Sequence, residues 1–532
     1  MSARTFGPAV VAFAAVLAVA PAGPPDRPGS AGGRDWPMFG GGPGRNMVNL
    51  ADRNLPIEFG AGPDRRPNVK WVAKLGSRAY GGPVVTGGKV FVGTNNQSPR
   101  NPRDFRQRKD GKSEPIDKSV LMCFRESDGQ FLWQHVNDKL PSGLVHDWPE
   151  EGICSTPAVE GNRLYYVSNR CEVVCLDVAG FADGNQGVRD EKYTDPTDAD
   201  VIWRLDMMKE LGVFPHNQSA CHPLVVDDLI FVVTGNGVDE NHINIPSPEA
   251  PSFIAVDKHT GKVVWQSNAP GRNIMHGQWS HPAYAVAGGR PQVIFPGGDG
   301  WLYAFDPPTG RLLWRFDANP KDAVYVLGPR CTKNAFVCAP AVHGGRACIG
   351  VGHDPEHVDG VGHLWCIDLA RAVELGRTNP GRDVSPGDKR FDPADPANRA
   401  SALVWHYGGF APHPEKDGRD YVFGRTLSTC AVHDGLCYAC DLGGFFTCLD
   451  AKTGRKLWDH DTKGEVWSSP YWVDGKVYLG TADGDVWVFR HGREKQLLAQ
   501  VEVGQAIKAP IVAANGVLYV VTESQLLAVA GP

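Results

Sequence analysis

The sequence predicts an all-β fold: an eight-bladed β-propeller of four-stranded antiparallel blades, closed into a ring by an N-terminal strand. Three observations predict it. One four-strand unit recurs along the 532 residues, and a position on its inner strand marks eight copies. The outer-strand tryptophan that is missing from the last copy is found before the first copy. Propellers consist of such repeats, and closing the ring leaves no unpaired sheet edge.

The repeat unit consists of four short strands joined by turns. A small-x-Pro-Val-Val strand and a glycine turn are followed by an alternating apolar strand. The third strand reads apolar-apolar-Ala-apolar-Asp, and after a Thr-Gly-Lys turn the fourth strand ends in tryptophan. The clearest copies of this second half are residues 253–265, 302–314 and 446–458. The period-two alternation indicates propeller blades rather than a helical solenoid.

Two counts give the number of blades. The inner-strand proline slot is occupied by Pro83, Pro157, Pro223, Pro282, Pro340, Cys430, Pro470 and Pro510. The outer-strand tryptophan slot is occupied by Trp133, Trp203, Trp265, Trp314, Trp405 and Trp458, with Leu498 expected in blade seven. The eighth copy precedes blade one, as Trp71. We therefore expect residues 69–75 to pair as the outermost strand of blade eight.

The N-terminus has the features of a secretory signal peptide. An apolar run over residues 9–20 follows Arg4, and Ala20-Pro21-Ala22 supplies small residues for cleavage. A membrane anchor needs about 20 apolar residues, which is longer than this run. We predict a signal peptide over 1–22, a leader and N-terminal extension over 23–67, and the propeller over 68–532. No cysteine follows the apolar run for lipid attachment, so the predicted location is periplasmic or secreted.

Composition argues against two classes of protein. Apolar residues make up 42% of the chain and charged residues 21%, and the net charge is −6, whereas nucleic-acid binding usually shows a strongly basic face. After the N-terminal run, no apolar stretch is long enough for a transmembrane segment. The 63 glycines and 42 prolines indicate many tight turns.

The thirteen cysteines fit the repeat better than a disulfide framework. Four of them share the Ala slot of the third strand, and free cysteine acts there as a small buried apolar group. These are Cys123, Cys175, Cys366 and Cys448. Cys437 and Cys440 lie three apart on a predicted strand, so their side chains point to opposite faces. The sequence leaves open whether disulfide bridges form among Cys154, Cys171, Cys331 and Cys338.

One face of the ring is expected to carry most of the loop length. It holds the loops between strands two and three and the crossings to the next blade, and we call it the loop-rich face. Long loops occur there at about 95–118, 235–251 and 352–362, and extended crossings at about 137–152, 207–217, 268–278, 318–335 and 408–425. The opposite face has mostly short turns, apart from insertions at about 180–200 and 370–402. Long loops are more often functional than filler.

Two polar clusters lie on the loop-rich face. The segment 273–281 and the slot before the inner-strand proline supply cofactor-binding candidates at the channel mouth: His222, His276, Gln278, Trp279 and His281. The loop 353–363 supplies candidate metal ligands: His353, Asp354, Glu356, His357, Asp359 and His363. Such oxygen and nitrogen groups bind divalent metals. The competing interpretation of this loop, and of the similar segment 236–242, is a polar turn that hydrogen-bonds to itself.

The Ala/Cys-apolar-Asp-x-x-Thr-Gly-x-x-x-Trp repeat resembles the pyrroloquinoline-quinone-like (PQQ-like) repeat family, over about residues 68–532. That family includes quinone-dependent alcohol dehydrogenases and the outer-membrane assembly factor BamB, both eight-bladed. The dehydrogenases typically place a vicinal disulfide over the quinone, and this chain has no Cys-Cys dipeptide. The assembly factor is a lipoprotein, and the lipid-attachment cysteine is missing here. The resemblance is specific for the fold rather than for the function.

We interpret the chain as an exported, BamB-like binding or scaffold module that engages a protein or a glycan through the loop-rich face. The catalytic residues are unknown in this interpretation, and no cofactor is required. The alternative, which the resemblance implies, is a PQQ- and calcium-dependent dehydrogenase that oxidises alcohols or sugars. The quinone would then stack near Trp279, with rim carboxylates and His281 close by.

Overall fold

A computed structural model describes residues 34–60, 67–328, 330–353, 360–387, 391, 393–414 and 416–531. The described residues form eight sheets of four or five strands, one two-stranded ribbon and two short α-helices. The sheets follow one another along the chain, and the inner strands of successive blades contact each other. The predicted eight-bladed propeller is confirmed.

The first four blades occupy residues 84–317. The N-terminal segment supplies β1 (Val48–Asn49) and β2 (Val69–Lys74). Blade one has β3 (Val84–Thr86), β4 (Lys89–Asn95), a loop ribbon of β5 (Phe105–Gln107) and β6 (Ser113–Pro115), then β7 (Lys118–Arg125) and β8 (Phe131–Asp138). Blade two has β9 (Ala158–Glu160), β10 (Arg163–Val167), β11 (Glu172–Asp177) and β12 (Val201–Asp206), and α1 (Met207–Leu211) follows it. Blade three has β13 (Leu224–Val226), β14 (Leu229–Val233), β15 (Phe253–Asp257) and β16 (Val263–Ser267). Blade four has β17 (Ala283–Ala287), β18 (Arg290–Pro296), β19 (Trp301–Phe305) and β20 (Leu312–Asp317).

The last four blades complete the ring. Blade five has β21 (Ala341–His343), β22 (Arg346–Val351) and β23 (His363–Asp368), an insertion with α2 (Leu369–Gly376) and β24 (Arg382–Asp383), then β25 (Leu403–Gly408). Blade six has β26 (Ala431–His433), β27 (Leu436–Cys440), β28 (Phe445–Asp450) and β29 (Lys456–Asp461). Blade seven has β30 (Tyr471–Val473), β31 (Lys476–Gly480), β32 (Asp485–Arg490) and β33 (Leu497–Glu502). Blade eight has β34 (Val512–Ala514), β35 (Val517–Val521) and β36 (Gln525–Val529). Four 3₁₀ turns lie at Pro102–Asp104, Gly143–Val145, Gly180–Asp183 and Gly271–Asn273.

The predicted closure of the ring is confirmed. β2 pairs antiparallel with β36, and Trp71 lies opposite Ala528. Blade eight therefore takes three strands from the end of the chain and its outermost strand from the beginning. Because both termini belong to one sheet, unfolding either end removes a strand from the same blade.

The outer-strand tryptophans join each blade to the next. The Trp71 indole donates a hydrogen bond to the Glu126 carbonyl of blade one and packs against Gly129. A Cβ at Gly129 would lie 2.5 Å from the indole, so glycine is required in that turn. The same bond to a carbonyl of the following blade is made by Trp133, Trp203, Trp265, Trp405 and Trp458.

Two blades depart from this docking pattern. Trp314 bonds to the side chain of Gln292 in its own blade, and α2 packs against β20 in the space between blades four and five. In blade seven the prediction of Leu498 in the tryptophan slot was wrong. In β33, Ala499 lies opposite Val488, as Trp458 lies opposite Cys448 in blade six. The step between these paired positions is ten residues in blade six and eleven in blade seven, so the connection is one residue longer in blade seven, which the repeat pattern does not reveal.

Residues 35–49, which we call the channel segment, run around the inside of the ring. They form part of the predicted N-terminal extension. The segment touches the inner strand of every blade: Trp36 at Val85, Pro37 at Val159, Arg45 at Pro223, Pro43 at Tyr284, Gly44 at Val342, Asn46 at Val432, Met47 at Trp472, and Asn49 at Ala513. β1, within this segment, adds to blade seven parallel to β30. The chain's own N-terminal segment thus lines the inside of the ring.

Arg45 is the centre of the channel segment. Its guanidinium is fully buried and donates to the carbonyl oxygens of Phe39, His222, Pro223 and Pro282, at 2.8 to 3.1 Å. Burial lowers the pKa of Arg45 to about 10. A buried guanidinium is tolerated when its donors are satisfied, so these carbonyls tie blades three and four to the segment.

All thirteen cysteines are free thiols. Cys123, Cys175, Cys366 and Cys448 are buried, and each lies opposite the outer-strand tryptophan of its own blade. The interpretation of this slot as small apolar packing is confirmed. The disulfides left open by the sequence do not form. Among the described helices, none is long and apolar enough to cross a membrane.

Replacing Trp71 with alanine tests the closure of the ring. The change removes a buried indole and its bond to blade one, so we expect a loss of about 3–5 kcal/mol in the free energy of unfolding. Urea unfolding followed by fluorescence and circular dichroism measures it. Trp148→Ala is the matched control, because its ring is 38% exposed in a loop, and we expect a change within about 0.5 kcal/mol. Equal unfolding midpoints for the two variants would contradict the role given to Trp71.

Candidate functional site

His222 and His281 occupy the slot that precedes the inner-strand proline. The side chain in this slot accepts a hydrogen bond from a backbone N–H. The donor is the residue that occupies the same slot in the preceding blade. The pairs are Gly82 to Thr156, Thr156 to His222, His222 to His281, Ala339 to Thr429, and Thr429 to Ser469. The two imidazoles therefore take the place of hydroxyl groups in a chain of bonds between blades.

The environment of these two histidines keeps them neutral. Their rings stack at 3.5 Å between centroids, and Phe39 of the channel segment packs on His222 at 4.6 Å. Burial lowers the pKa of His281 to about 3 and holds the pKa of His222 well below its usual range. Because each Nδ1 accepts a backbone N–H, the proton of each neutral ring is on Nε2.

The other three cofactor candidates lie farther out on the loop-rich face. The Gln278 amide is buried and donates to the Asn236 carbonyl and to Ser252 Oγ. The Trp279 indole is half-buried, and its N–H is shared by the carbonyls of His216 and Gln218. His276 is buried and meets the Trp279 ring edge to face at 5.0 Å. The structure thus separates the five candidates into two groups.

His276 belongs to a cluster of three histidines with His216 and His242. One potential ligand atom from each ring lies within 4.8 Å of those of the other two. The Nε2 atoms of His216 and His242 are 3.1 Å apart, and the ring centroids are separated by 4.6 to 4.8 Å. His216 and His276 are buried and His242 is half-buried. Within the described ranges, this is the only group of three or more such side chains with the spacing of a metal site.

The three histidines come from three different loops of the loop-rich face. His216 lies in the crossing into blade three, His242 in the loop between β14 and β15, and His276 in the crossing into blade four. Backbone hydrogen bonds join these loops: His216 N to Gly235 O, Gly237 N to Phe214 O, and Val238 N to His276 O. The cluster is therefore held by backbone bonds as well as by ring contacts.

Gly237 allows the close approach of these loops. A Cβ on Gly237 would lie 2.5 Å from the His216 Cβ and 2.8 Å from the His276 carbonyl oxygen. Asn236, the preceding residue, accepts from Phe214 N and donates to Ser247 O. The segment 236–242, which sequence analysis left as either a ligand loop or a polar turn, contributes one histidine to the cluster.

The predicted metal loop is described only in part. Asp354, Glu356, His357 and Asp359 lie outside the described residues, so the prediction for them stays untested. His363 opens β23 and is buried against Trp365 and Phe391, with its Nδ1 2.8 Å from His406 Nε2. Burial lowers the pKa of His363 to about 4 and that of His406 to about 3. His363 therefore faces a neighbouring strand within its own blade.

The loop-rich face also carries most of the exposed large apolar side chains. Ten such side chains are exposed among the described residues, and six of them lie in loops of this face: Phe105, Leu144, Trp148, Ile243, Val324 and Phe410. Phe410 is 81% exposed and lies near a backbone-bonded ribbon in the crossing into blade six, where it pairs with Tyr421. Exposed apolar groups that share one face of a protein can mark a binding surface.

A separate cavity of about 330 Å³ lies between the outer strands of blades one and two. Its lining is strongly polar and includes Asp138, Arg170, Glu172, Lys192 and Arg204. Several of these charges are already paired, as Lys192 is with Asp138. None of the three clustered histidines lines this cavity, and the exposed apolar side chains of the loop-rich face make that face the stronger candidate.

Sequence reasoning missed three features of the site. It did not identify His216, it left the path of the channel segment open, and it did not anticipate the pairing of His363 with His406. His216 follows a proline in an ordinary crossing loop, and no spacing relates it to His242 or His276. One feature of the sequence could have indicated the channel segment. It is the stretch of aromatic and glycine residues from Trp36 to Gly41, before the first blade.

Comparison with known proteins identifies the repeat. A family model described as outer membrane protein assembly factor BamB matches residues 117–318 and 397–495, which is more than half of the chain. Polyvinylalcohol dehydrogenase of Sphingopyxis sp. (strain 113P3) is 32% identical over 108 residues. That match covers 19% of this chain and only 16% of the length of the dehydrogenase.

Solved structures resemble the chain in fold. A quinohemoprotein alcohol dehydrogenase from Pseudomonas putida HK5 superposes with a TM-score of 0.54 at 14% identity, over 94% of this chain and 80% of that chain. BamB from Moraxella catarrhalis gives a TM-score of 0.49 at 13% identity, over 86% of this chain and 97% of that chain. At such identities the likeness concerns the fold alone.

The buried neutral histidines predict a loss of stability in acid. An unfolded histidine takes up a proton near pH 6.5, whereas His281 stays neutral in the folded protein until about pH 3. The unfolded state therefore binds more protons as the pH falls, and each such histidine removes about 1.6 kcal/mol between pH 6.5 and 5. We expect His281→Asn, whose amide oxygen can accept the His222 N–H, to reduce this loss by about 1.6 kcal/mol. Urea unfolding at the two pH values measures it.

The exposed His259 provides the control for this pH dependence. Its side chain is 64% exposed, so His259→Asn should leave the difference between the two pH values unchanged. An identical pH dependence for wild type and His281→Asn would contradict the assignment of His281 as a buried neutral group.

Proposed function

Because the chain belongs to the PQQ-like repeat β-propeller family, we propose that it is an exported binding module that docks a protein partner on its loop-rich face. The observation that carries this proposal is the distribution of exposed apolar side chains. Six of ten lie in the loops of one face, and Ile243 and Phe410 are exposed by 65% and 81%. Aromatic and aliphatic side chains of this kind are the usual anchors of protein interfaces.

The channel segment supports the choice of face. It enters and leaves the ring on the short-turn face, where Asp35 accepts from Thr86 and Gly87, and Asp52 accepts from Gly516. The inner strands of all eight blades are already in contact with this segment. A partner that uses the channel mouth therefore has to approach from the loop-rich face.

The family supports the class of partner, and the N-terminus supports the location. The model that matches the chain is described as an assembly factor, a role carried out by contacts with other proteins. The predicted signal peptide over residues 1–22 lies outside the described residues. Cleavage after Ala22 would leave the channel segment intact, since its first contact with a blade is made by Asp35.

Site-specific photo-crosslinking in intact cells tests the proposal. A benzophenone amino acid in place of Phe410 or Ile243 should give a discrete protein adduct, recovered from the periplasmic or secreted fraction. The same amino acid in place of Val264, which is 49% exposed on the outer strand β16, is the matched control and should give none. Three outcomes would contradict the proposal. They are an equal yield of adduct at all three positions, no adduct at any position, and an adduct recovered from the cytoplasm.

A quinone-dependent dehydrogenase is the second candidate, favoured by the short match to polyvinylalcohol dehydrogenase. The predicted cofactor residues do not form one slot for a flat quinone. His222 and His281 stack on each other beneath Phe39, Gln278 is bonded to Asn236 and Ser252, and only Trp279 keeps an accessible ring.

Adding PQQ with calcium to the purified protein separates the two candidates. We expect no stoichiometric chromophore after gel filtration and no dye-linked oxidation of alcohols, because the described candidates offer no paired ring faces. Trp279→Ala is the companion variant. If wild type retains one equivalent of quinone and Trp279→Ala does not, the dehydrogenase function replaces the binding module.

A further inference from the structure

We propose that His216, His242 and His276 form a binding site for one divalent transition-metal ion, with Zn²⁺ as the preferred ion. The site does not depend on the docking proposal, since it rests on the geometry of the three rings. Three imidazole ligands are a common donor set for zinc, and imidazole nitrogen also suits copper, nickel and cobalt. Calcium and magnesium prefer oxygen ligands and are not expected here.

The hydrogen bonding of His216 prepares one ligand atom. Its Nδ1 lies 2.9 Å from the carbonyl oxygen of Val238. A carbonyl can only accept, so Nδ1 carries the proton and the Nε2 lone pair points toward His242. A histidine that donates its second ring N–H to a carbonyl is the usual arrangement in metal sites, because the bond fixes the tautomer and the ring orientation.

The distances match the space that a metal ion needs. With Zn–N bonds of 2.0–2.1 Å and tetrahedral angles, two ligand nitrogens lie about 3.4 Å apart. The Nε2 atoms of His216 and His242 are 3.1 Å apart, and all three ligand atoms lie within 4.8 Å of one another. Ring rotations of about 1 Å at the ligand atoms are enough to complete the set.

Two of the ligands are rigid and the third can move. His216 and His276 are buried, and the Trp279 indole N–H bonds to the carbonyl of His216 while its ring packs on His276. His242 is half-buried, with a left-handed backbone (φ 57°) in a turn where Asp239 accepts from Ile243 N and Asn244 N. The rigid pair defines the site, and His242 closes it from the solvent side.

The site would keep one coordination position open. Three protein ligands leave a fourth tetrahedral position, and His242 places it toward solvent on the loop-rich face. A water molecule or an anionic oxygen ligand, such as a carboxylate, would fill it. Binding uses the lone pairs of neutral imidazoles, and the ring proton that His242 carries moves to its other nitrogen through solvent. The affinity should therefore fall in acid, as protons compete for the rings.

Metal titration of the chelator-treated protein, produced without an affinity tag, tests the site. Addition of Co²⁺ should give one equivalent of a tetrahedral visible spectrum, and Zn²⁺ should displace it. Zn²⁺ at about 100 times its dissociation constant should raise Tm by roughly 2–4 °C, because it binds only the folded state. Wild-type protein that takes up no ion at micromolar concentrations overturns the proposal.

Substitutions at His242 separate ligation from folding. His242→Ala should bind Zn²⁺ at least about 100-fold more weakly while the metal-free protein keeps its Tm, because the ring is half-exposed in a surface turn. His242→Cys should restore Zn²⁺ binding, because a thiolate is also a zinc ligand. Equal Zn²⁺ affinity in His242→Ala and wild type overturns the proposal.

Two further histidines serve as controls. His259→Ala removes an exposed ring from a turn on the other face and should bind Zn²⁺ as wild type does. His353→Ala tests the loop that the sequence had nominated for metal binding, and it should also leave the affinity unchanged. Loss of binding in His353→Ala, with retention in His242→Ala, assigns the metal to that loop and overturns the three-histidine site.

Discussion

The antiparallel pairing of β2 with β36 is the constraint on which the rest of the structure depends. It places an N-terminal strand in one blade with the last described strand of the chain, so the ring has no free edge. Trp71 then docks on blade one in the way that the other outer-strand tryptophans dock on their neighbours. Each blade is held by the one before it and the one after it. Blades four and seven lack this docking bond, so missing anchors are tolerated when sheet pairing and closure remain.

Closure by an N-terminal strand is accompanied by a second feature, since the chain that precedes β2 runs along the inside of the ring. The channel segment uses that path to contact all eight inner strands, and Arg45 satisfies four carbonyls at its centre. Stacked neutral histidines and small hydroxyl side chains line the same level of the channel. The inside of the ring is therefore occupied by contacts of the chain with itself, and the proposed docking and metal sites lie on the loop-rich face.

The loop-rich face is where the blades stop being equivalent. Its loops carry six exposed apolar side chains and the three histidines, whereas the short-turn face is engaged by the channel segment. A rigid ring with variable loops is a common arrangement for binding proteins, because the loops can vary without changing the core. The backbone bonds around Gly237 show that part of this face is itself ordered enough to hold side chains in fixed geometry.

The sequence by itself determined the eight blades, their strand order, the closure through Trp71 and the packing role of the slot cysteines. These features recur with the repeat along the chain, and each copy of the repeat indicates the same strand pairing. It also located the loop-rich face and nominated His276 and Trp279. Only the tertiary structure decided that residues 35–49 line the inside of the ring, that Ala499 replaces the tryptophan of blade seven, and that His216 meets His242 and His276. The physical reason is that each of these depends on contacts between distant segments, or on a connection that is one residue longer, and neither follows the repeat pattern of the chain.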